Sequence, residues 1–269
     1  LAVIANNGSS NASVIDLTAN PPAQKVPAVS TGTNPAGVAV NDATGAAIVA
    51  NTGSNTVTMI NLGLLFPAPG TTPPTTLTPT SIGGIQQPIA VAIDPDRGTN
   101  NQGIAVVTSL QLVSGGAPQG ALAVVEIGLQ TPTLSTTIPS GSVTATPTGI
   151  VFDPTVFTGT ANNGEFYANS SGSNVITAFN PDSGGGSSVN VGINPTSLAL
   201  NPQTGAILTS NSASNTISIV DTLSNPFKTR QTFGIPGSGT FGVAIDQFTN
   251  LAVIVDQAHN RVLLFPMPN

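Results

Sequence analysis

The sequence contains no cysteine and no tryptophan, one tyrosine, one histidine, and only 5 Lys+Arg against 11 Asp+Glu. Each scarcity removes a class of function. Without cysteine there is no disulfide, no thiolate zinc centre and no cysteine nucleophile. The basic residues Lys25, Arg97, Lys228, Arg230 and Arg261 are too few to build the stripe that neutralises nucleic-acid phosphates, and a net charge of −6 opposes it further. An anionic membrane surface is disfavoured for the same reason. No apolar run approaches the roughly 18 residues that cross a bilayer, so no membrane insertion is expected. The single histidine, His259, stands three residues after Asp256 and close enough to touch it, but it has no nucleophile or second base around which to form a triad.

What is present is a chain of Asn, Thr, Ser, Gln and Gly interleaved with short apolar runs. Hydrophobic residues make up 39% of it, with 29 Gly and 23 Pro. The apolar set is dominated by β-branched residues, and no stripe of 3.6-residue period survives a dozen positions. The reading is all-β.

Two patterns recur. The first is a short apolar strand entered through proline, at Pro35, Pro88, Pro147 and Pro195, with a fifth version at Thr240 that lacks it. It leaves through a turn such as "NDATG" or "NPQTG". The second is an apolar strand, an Asn-Gly-Ser type turn and an alternating strand, as in "ANTGSNTVTMIN" from Ala50. The prolines are spaced by 53, 59 and 48 residues. Four short strands in a period of that size are the signature of a propeller blade. Labelled from the axis outward, strand A is the proline-led strand, B is "AIVA" and its equivalents, C is "TVTMIN", and D is a looser Thr-rich strand such as "AQKVPAVS". Lys25, Lys228 and Arg230 fall on D strands, where charge discourages edge-to-edge pairing.

These motifs resemble the YVTN-type and NHL-type repeats of bacterial β-propellers across essentially the whole chain. The resemblance implies a propeller fold and a range of roles, from surface and sensor modules to lyases. Six-bladed lactonases of related architecture hold a channel metal with Glu, Asn and Asp side chains. Here the corresponding end of the blades offers Asn169, Asn211 and Asp256 but no Glu.

B strands begin near Leu1, Ala47, Ile104, Glu165, Ala206 and Leu251, and C strands near Ala12, Thr56, Ala121, Asn174, Thr216 and Arg261. Only five A and five D strands can be found. The expectation is therefore a single six-bladed β-propeller domain over residues 1–269, with four-stranded antiparallel blades. The first blade lacks its inner strand and the last its outer strand. Because Leu1 lies inside an apolar strand with no leader before it, the chain is expected to be a trimmed portion of a longer one. An upstream segment would supply the missing strands. The rival is self-association, a neighbouring copy adding a strand to the unpaired blade edges. A long insertion from Leu110 and a Pro/Thr-rich excursion from Phe66 are expected as surface embellishments.

Strand direction sends B–C turns and the D–A connections to one end of a blade, the top, and A–B and C–D turns to the other. Asn6, Asn51, Asn169 and Asn211, with Thr108 and Asp256, are read as one column at the top. Such a column offers amide oxygens to a sugar, a peptide or a Ca²⁺ ion in the central channel, the one cofactor considered. The same residues also suit tight turns, where Asn tolerates positive φ and bonds nearby backbone. Asp42, Asp94, Asp96, Asp153 and Asp246 fall at A–B turns, where such residues cap turns. Asp16, Asp221, Glu126, Asp182 and Glu165 also point to the bottom. Glycosylation triplets begin at Asn7, Asn11 and Asn169.

The function expected is a non-catalytic, secreted or cell-surface binding or structural module, extracellular or periplasmic. It would engage a protein or glycan partner on the top face, with Asn6, Asn51, Asn169, Asn211, Asp256 and His259 as ligand-binding residues. The alternative is a metal-dependent lactonase- or lyase-type enzyme with its site at the same mouth.

Overall fold

The computed structural model describes residues 1–98, 102–111, 119–128, 132–138, 146–156, 164–182, 186–224, 226–235 and 239–268. Among these, helix is confined to short 3-10 turns such as Asn7–Ser9 and Leu62–Leu65. The rest of the regular structure is strand, in six antiparallel sheets of three or four strands.

Sheet 1 runs β1 (Ala2–Asn6), β2 (Asn11–Asp16), β3 (Ala23–Ser30). Sheet 2 is β4 (Pro35–Asn41), β5 (Ala46–Asn51), β6 (Thr56–Asn61), β7 (Thr80–Ile82). Sheet 3 contains β8 (Val91–Asp94), β9 (Ile104–Gln111), β10 (Gln119–Glu126), β11 (Thr133–Ile138). Sheet 4 is β12 (Pro147–Asp153), β13 (Glu165–Ser170), β14 (Val175–Phe179), β15 (Ser188–Asn190). Sheet 5 is β16 (Pro195–Asn201), β17 (Ala206–Asn211), β18 (Thr216–Asp221), β19 (Lys228–Gly234). Sheet 6 closes the list with β20 (Thr240–Asp246), β21 (Leu251–Asp256), β22 (Arg261–Pro266).

This sheet plan is propeller-like; among the described residues sheets 1 and 6 have three strands each, with β1 at the edge of sheet 1 and β22 at the edge of sheet 6. The insertion after Leu110 lies partly outside the described residues.

The chain forms two compact units. One comprises Leu1–Leu112 with Leu122–Thr137, and the other Val113–Ala121 with Ile138–Asn269. Within the first, alternate residues of β5 are buried on opposite faces. Ala47 and Val49 pack with Ala12 and Val14 of sheet 1. Ile48 packs with Val107, Ala123 and Val125 of sheet 3. Period-2 alternation with apolar residues on both faces is what a central strand between two sheets requires. The second unit repeats the plan. Tyr167 and Ile176 of sheet 4 meet Ile207 and Val220 of sheet 5, while Leu208 and Ile217 meet Ala252 and Ile254 of sheet 6.

The terminal sheets depart from it. In sheet 6 the face turned away from sheet 5 carries Val255, Val262 and Leu264, exposed by 41%, 58% and 64%. In sheet 1 Ile4 is 49% exposed. Both faces are apolar where an inner sheet would have a neighbour.

Candidate functional site

Hydrogen-bond register decides which residues share a column. Pro35 pairs with Asn51, Pro195 with Asn211 and Thr240 with Asp256. Across the B–C hairpins Asn6 faces Asn11, Asn51 faces Thr56, Asn211 faces Thr216 and Asp256 faces Arg261. In β13 the residue in this register is Ser170, which pairs with Pro147 and Val175. Asn169 stands one residue earlier and so presents its side chain to the opposite face of the sheet. The expected column is corrected accordingly: Ser170 takes the place of Asn169 beside Asn6, Asn51, Asn211 and Asp256. In β9, where Ile104 opens the pairing with Asp94, Ser109 takes the place expected for Thr108.

The column amides donate across their own hairpins. Asn51 Nδ2 donates to Thr56 Oγ1 at 3.1 Å and Thr58 Oγ1 at 2.9 Å. Asn211 Nδ2 donates to Thr216 and Ser218, both at 3.0 Å. Asn6 Nδ2 donates to Asn11 Oδ1 and Ser13 Oγ, both at 2.8 Å. The partners are side-chain hydroxyl and amide groups on strand C, not the nearby backbone expected from sequence. One amide oxygen each of Asn51 and Asn211 is buried without a partner. Asn169 works differently: its Oδ1 accepts Gly149 N–H at 2.6 Å and the Thr148 hydroxyl at 2.9 Å, tying β13 to β12. It is fully buried, so its glycosylation triplet is not on an accessible turn, whereas Asn7 is exposed.

The turns beside the column are cross-linked. The B–C turns of sheets 1, 2, 4, 5 and 6 end on a residue with positive φ: Ser10, Asn55, Asn174, Asn215 and Asn260, between 51° and 59°. This is the left-handed turn position that Asn tolerates, and it belongs to the last turn residue rather than to the column amide. The loop leading into β4 bonds the turn of its own sheet, Thr52 N–H to Asn34 O and Gly53 N–H to Thr33 O. Ser212 and Ala213 do the same with Asn194 and Ile193. Gly32 and Gly192 lie against the column itself. A Cβ on Gly32 would sit 2.8 Å from Asn51 Cβ, and one on Gly192 would sit 2.7 Å from Asn211 Cγ. Glycine is there for close approach.

In sheet 6 the column residue is charged. Buried Asp256 accepts from Arg261 Nε at 2.8 Å and meets His259 Nδ1 at 2.9 Å. Burial pushes this carboxyl up, but the bonds from Arg261 and His259 outweigh it and hold it below the usual range. The A–B ends carry a different chemistry. Asn41, Asp94, Asp153, Asn201 and Asp246 each accept the backbone N–H two residues on, at 2.9–3.1 Å. These are Asx turns. Among the described residues no three His, Asp or Glu side chains gather as a metal-ligating group.

One cleft escaped the sequence reading. At the A–B end between sheets 4 and 5 lies a cavity of about 500 Å³, bordered by Glu165, Tyr167, Thr155, Thr222, Ser224 and Phe227. Tyr167 donates its hydroxyl proton to Glu165 Oε2 at 3.0 Å. Its ring meets Phe227 edge-on at 5.7 Å. Behind them, fully buried Asp153 accepts the hydroxyls of Thr155 at 2.6 Å and Thr222 at 3.1 Å. The signal was present in the sequence: the chain's one tyrosine, two residues after a glutamate that opens a B strand.

No family model matches the chain, and no curated protein does either. Among solved structures, it is similar to a functionally unknown protein from Desulfotomaculum acetoxidans DSM 771, with TM-score 0.72, 14% identity, and coverage of 99% of this chain and 75% of that one. It is also similar to Kuenenia stuttgartiensis hydrazine synthase, with TM-score 0.71, 14% identity, and coverage of 98% and 80%. At this identity the likeness is one of fold.

Proposed function

We propose that the six sheets are the blades of a six-bladed β-propeller of the YVTN/NHL type, secreted or displayed at the cell surface, extracellular or periplasmic. In this reading it is a non-catalytic module that binds a protein or glycan partner through its B–C turns. One observation carries the reading. The described turns expose Asn, Ser, Thr and Gly and are already hydrogen-bonded to the lead-in loops of their own sheets. Their charged side chains are confined to the Asp256, His259 and Arg261 cluster of sheet 6. A preformed, polar, nearly uncharged surface loses little conformational entropy on docking and suits hydroxyl-rich or amide-rich partners. The free edges of β1 and β22 are where self-association by strand addition would occur.

The test is a glycan array and a peptide array, each read at low and at physiological salt. Retention of the same binders at both supports the reading, because few charges are available to be screened. A steep salt dependence opposes it. Turnover of a lactone or ester panel that requires an added divalent ion would replace it with the enzymatic alternative.

A further inference from the structure

The A–B end of sheet 4 breaks the repeat that the other sheets keep. The B-strand residue that pairs with the last residue of strand A is Ala46 in β5, Ile104 in β9, Ala206 in β17 and Leu251 in β21. In β13 it is Glu165, paired with Asp153. Two residues further on, the aliphatic Ile48, Val106, Leu208 and Val253 are matched by Tyr167. A residue that recurs in every sheet serves the sheet. Two adjacent departures to a carboxylate and a phenol, at the wall of a cavity, call for another explanation.

Counting protons around the cavity gives one. Each hydroxyl has a single proton to donate. That of Tyr167 is directed to Glu165, that of Thr155 to Asp153, that of Thr222 to Asp153 Oδ2 or the Gly205 carbonyl, both at 3.1 Å, and that of Ser224 to Asp221 Oδ2 at 2.8 Å. With their protons turned to carboxylates or to a main-chain carbonyl, these four groups present lone pairs to the space between them. No Lys, Arg or His borders the cavity, and no cation pairs with Glu165 or Asp153 among the described residues. Burial, reinforced by the charge of Asp153 and opposed by the Tyr167 hydroxyl, holds the Glu165 carboxyl above its usual range. Among the described residues the cleft is negative and rich in acceptors, with the Ser187 hydroxyl as a side-chain donor not turned to a carboxylate. Its remaining wall is apolar apart from Ser187, made by Phe227, Leu223, Pro226 and Val156. A volume of about 500 Å³ with such a wall is the size of an organic-ligand site, far more than a bare metal ion fills.

We propose that this cleft binds a small primary alkylammonium ion. Its three N–H donors would meet the Glu165 carboxylate and the hydroxyl oxygens, and its carbon chain would lie on Phe227 and Leu223.

The chain carries its own reporter, because Tyr167 is the one tyrosine and there is no tryptophan. Titration of the full chain with n-butylammonium chloride, followed by tyrosine emission and by calorimetry, should give a saturable change. Neither n-butanol nor potassium chloride at matched ionic strength should do so. Glu165→Gln keeps an acceptor for the Tyr167 hydroxyl and should weaken butylammonium at least about tenfold. Asp246→Asn, at the A–B turn of another sheet, should leave it unchanged. Should Glu165→Gln fail to fold, Ser224→Ala is the second variant and should weaken binding about threefold. Saturation by butanol with equal affinity, an unchanged constant in the variant that folds, or no saturable signal would each overturn the assignment. Failure here leaves the array experiment on the B–C turns unaffected, since the two surfaces lie at opposite ends of the sheets.

Discussion

The B strands of sheets 2 and 4 occupy the same place in the same plan and do different things with it. β5, "AAIVAN", is buried from end to end, its alternate residues meeting sheet 1 on one face and sheet 3 on the other. β13, "EFYANS", keeps the buried centre with Phe166, Tyr167 and Ala168, but its first residue is a carboxylate facing a cavity and its fifth an amide that bonds back to β12. Repetition in this chain serves the fold, because every copy solves the same packing problem. Departure from repetition is where another demand has been met. The difference can be tested by treating each strand as if it were the other.

The largest effects should come from the buried centres, where the two strands are alike. Ile48→Ala removes a fully buried side chain from β5 and should cost about 2–5 kcal/mol. Tyr167→Ala should cost about 3–5 kcal/mol by the same cavity argument, with the edge contact to Phe227 lost as well. Chemical denaturation of both variants checks the comparison. A loss below about 1 kcal/mol for Tyr167→Ala would mean that its ring belongs to the cleft and contributes little to the core.

Next come the glycines that admit the column. Gly32→Ala and Gly192→Ala each place a methyl group inside van der Waals distance of an Asn side chain, and each should cost about 1–3 kcal/mol. Gly8, with nothing within 4 Å of a Cβ, is the control and should tolerate alanine. Equal melting temperatures for all three variants would show that the lead-in loops give way easily, and would weaken the case for a preformed B–C surface.

Much of this architecture was legible in the residues alone. Proline at the start of strand A, glycine or Asn at the end of the A–B turn and Asn at the end of the B–C turn punctuate the chain at positions where backbone conformation leaves few alternatives. Gly45 and Gly205 adopt φ of 74° and 60° where Asn250 adopts 54°. Most strand starts followed from that punctuation, although the strand expected to enter at Pro88 begins at Val91. Column membership did not follow. "FYANSSGSN" and "IVANTGSN" align by eye on their Asn residues, but the extra serine after Asn169 moves the pairing by one, and only register reveals the flip. The cleft was hidden for a different reason. Its acceptor character depends on Thr222 and Ser224, which are brought to Glu165 and Asp153 by the stacking of two sheets, and no local pattern records that.

Smaller effects should separate the amides. Asn51→Ala and Asn211→Ala lose two side-chain bonds to hydroxyls that can re-form with one another or with water, for about 0.5–1.5 kcal/mol each. Asn169→Ala strands the buried Gly149 N–H and should cost more, about 1–3 kcal/mol. If the order reverses, with Asn51 the costlier residue, the column is more than a hairpin brace, and its buried, unpartnered oxygen becomes the place to look for a ligand.

The smallest effect distinguishes the two strands by pH. Glu165 is held above the ordinary glutamate range, chiefly by burial, and the corresponding residue of β5 is Ala46, which does not titrate. A carboxyl with a raised folded pKa binds its proton more tightly in the folded state than in the unfolded state. Its contribution to stability is therefore fully present below the unfolded value, near pH 4.3, and is lost as pH rises through the folded value. Asp16 has the opposite sign. The Thr18 hydroxyl, then Lys25, hold its carboxyl well below the usual range, so its contribution is present above the ordinary aspartate value and is lost as pH falls. Wild-type stability should accordingly climb out of the acid region as the low carboxyls ionise, then give part of that gain back as Glu165 is forced to ionise. Asp94, raised mainly by burial, acts in the same direction as Glu165. Glu165→Gln should remove its share of the decline, so that the wild type loses ground against the variant from about pH 4.3 upward. Thermal melts at half-unit steps would show the crossing. A wild-type advantage that grows with pH would mean that Glu165 is stabilised as a carboxylate within the protein itself, and the cleft would then have no need of a cation from outside.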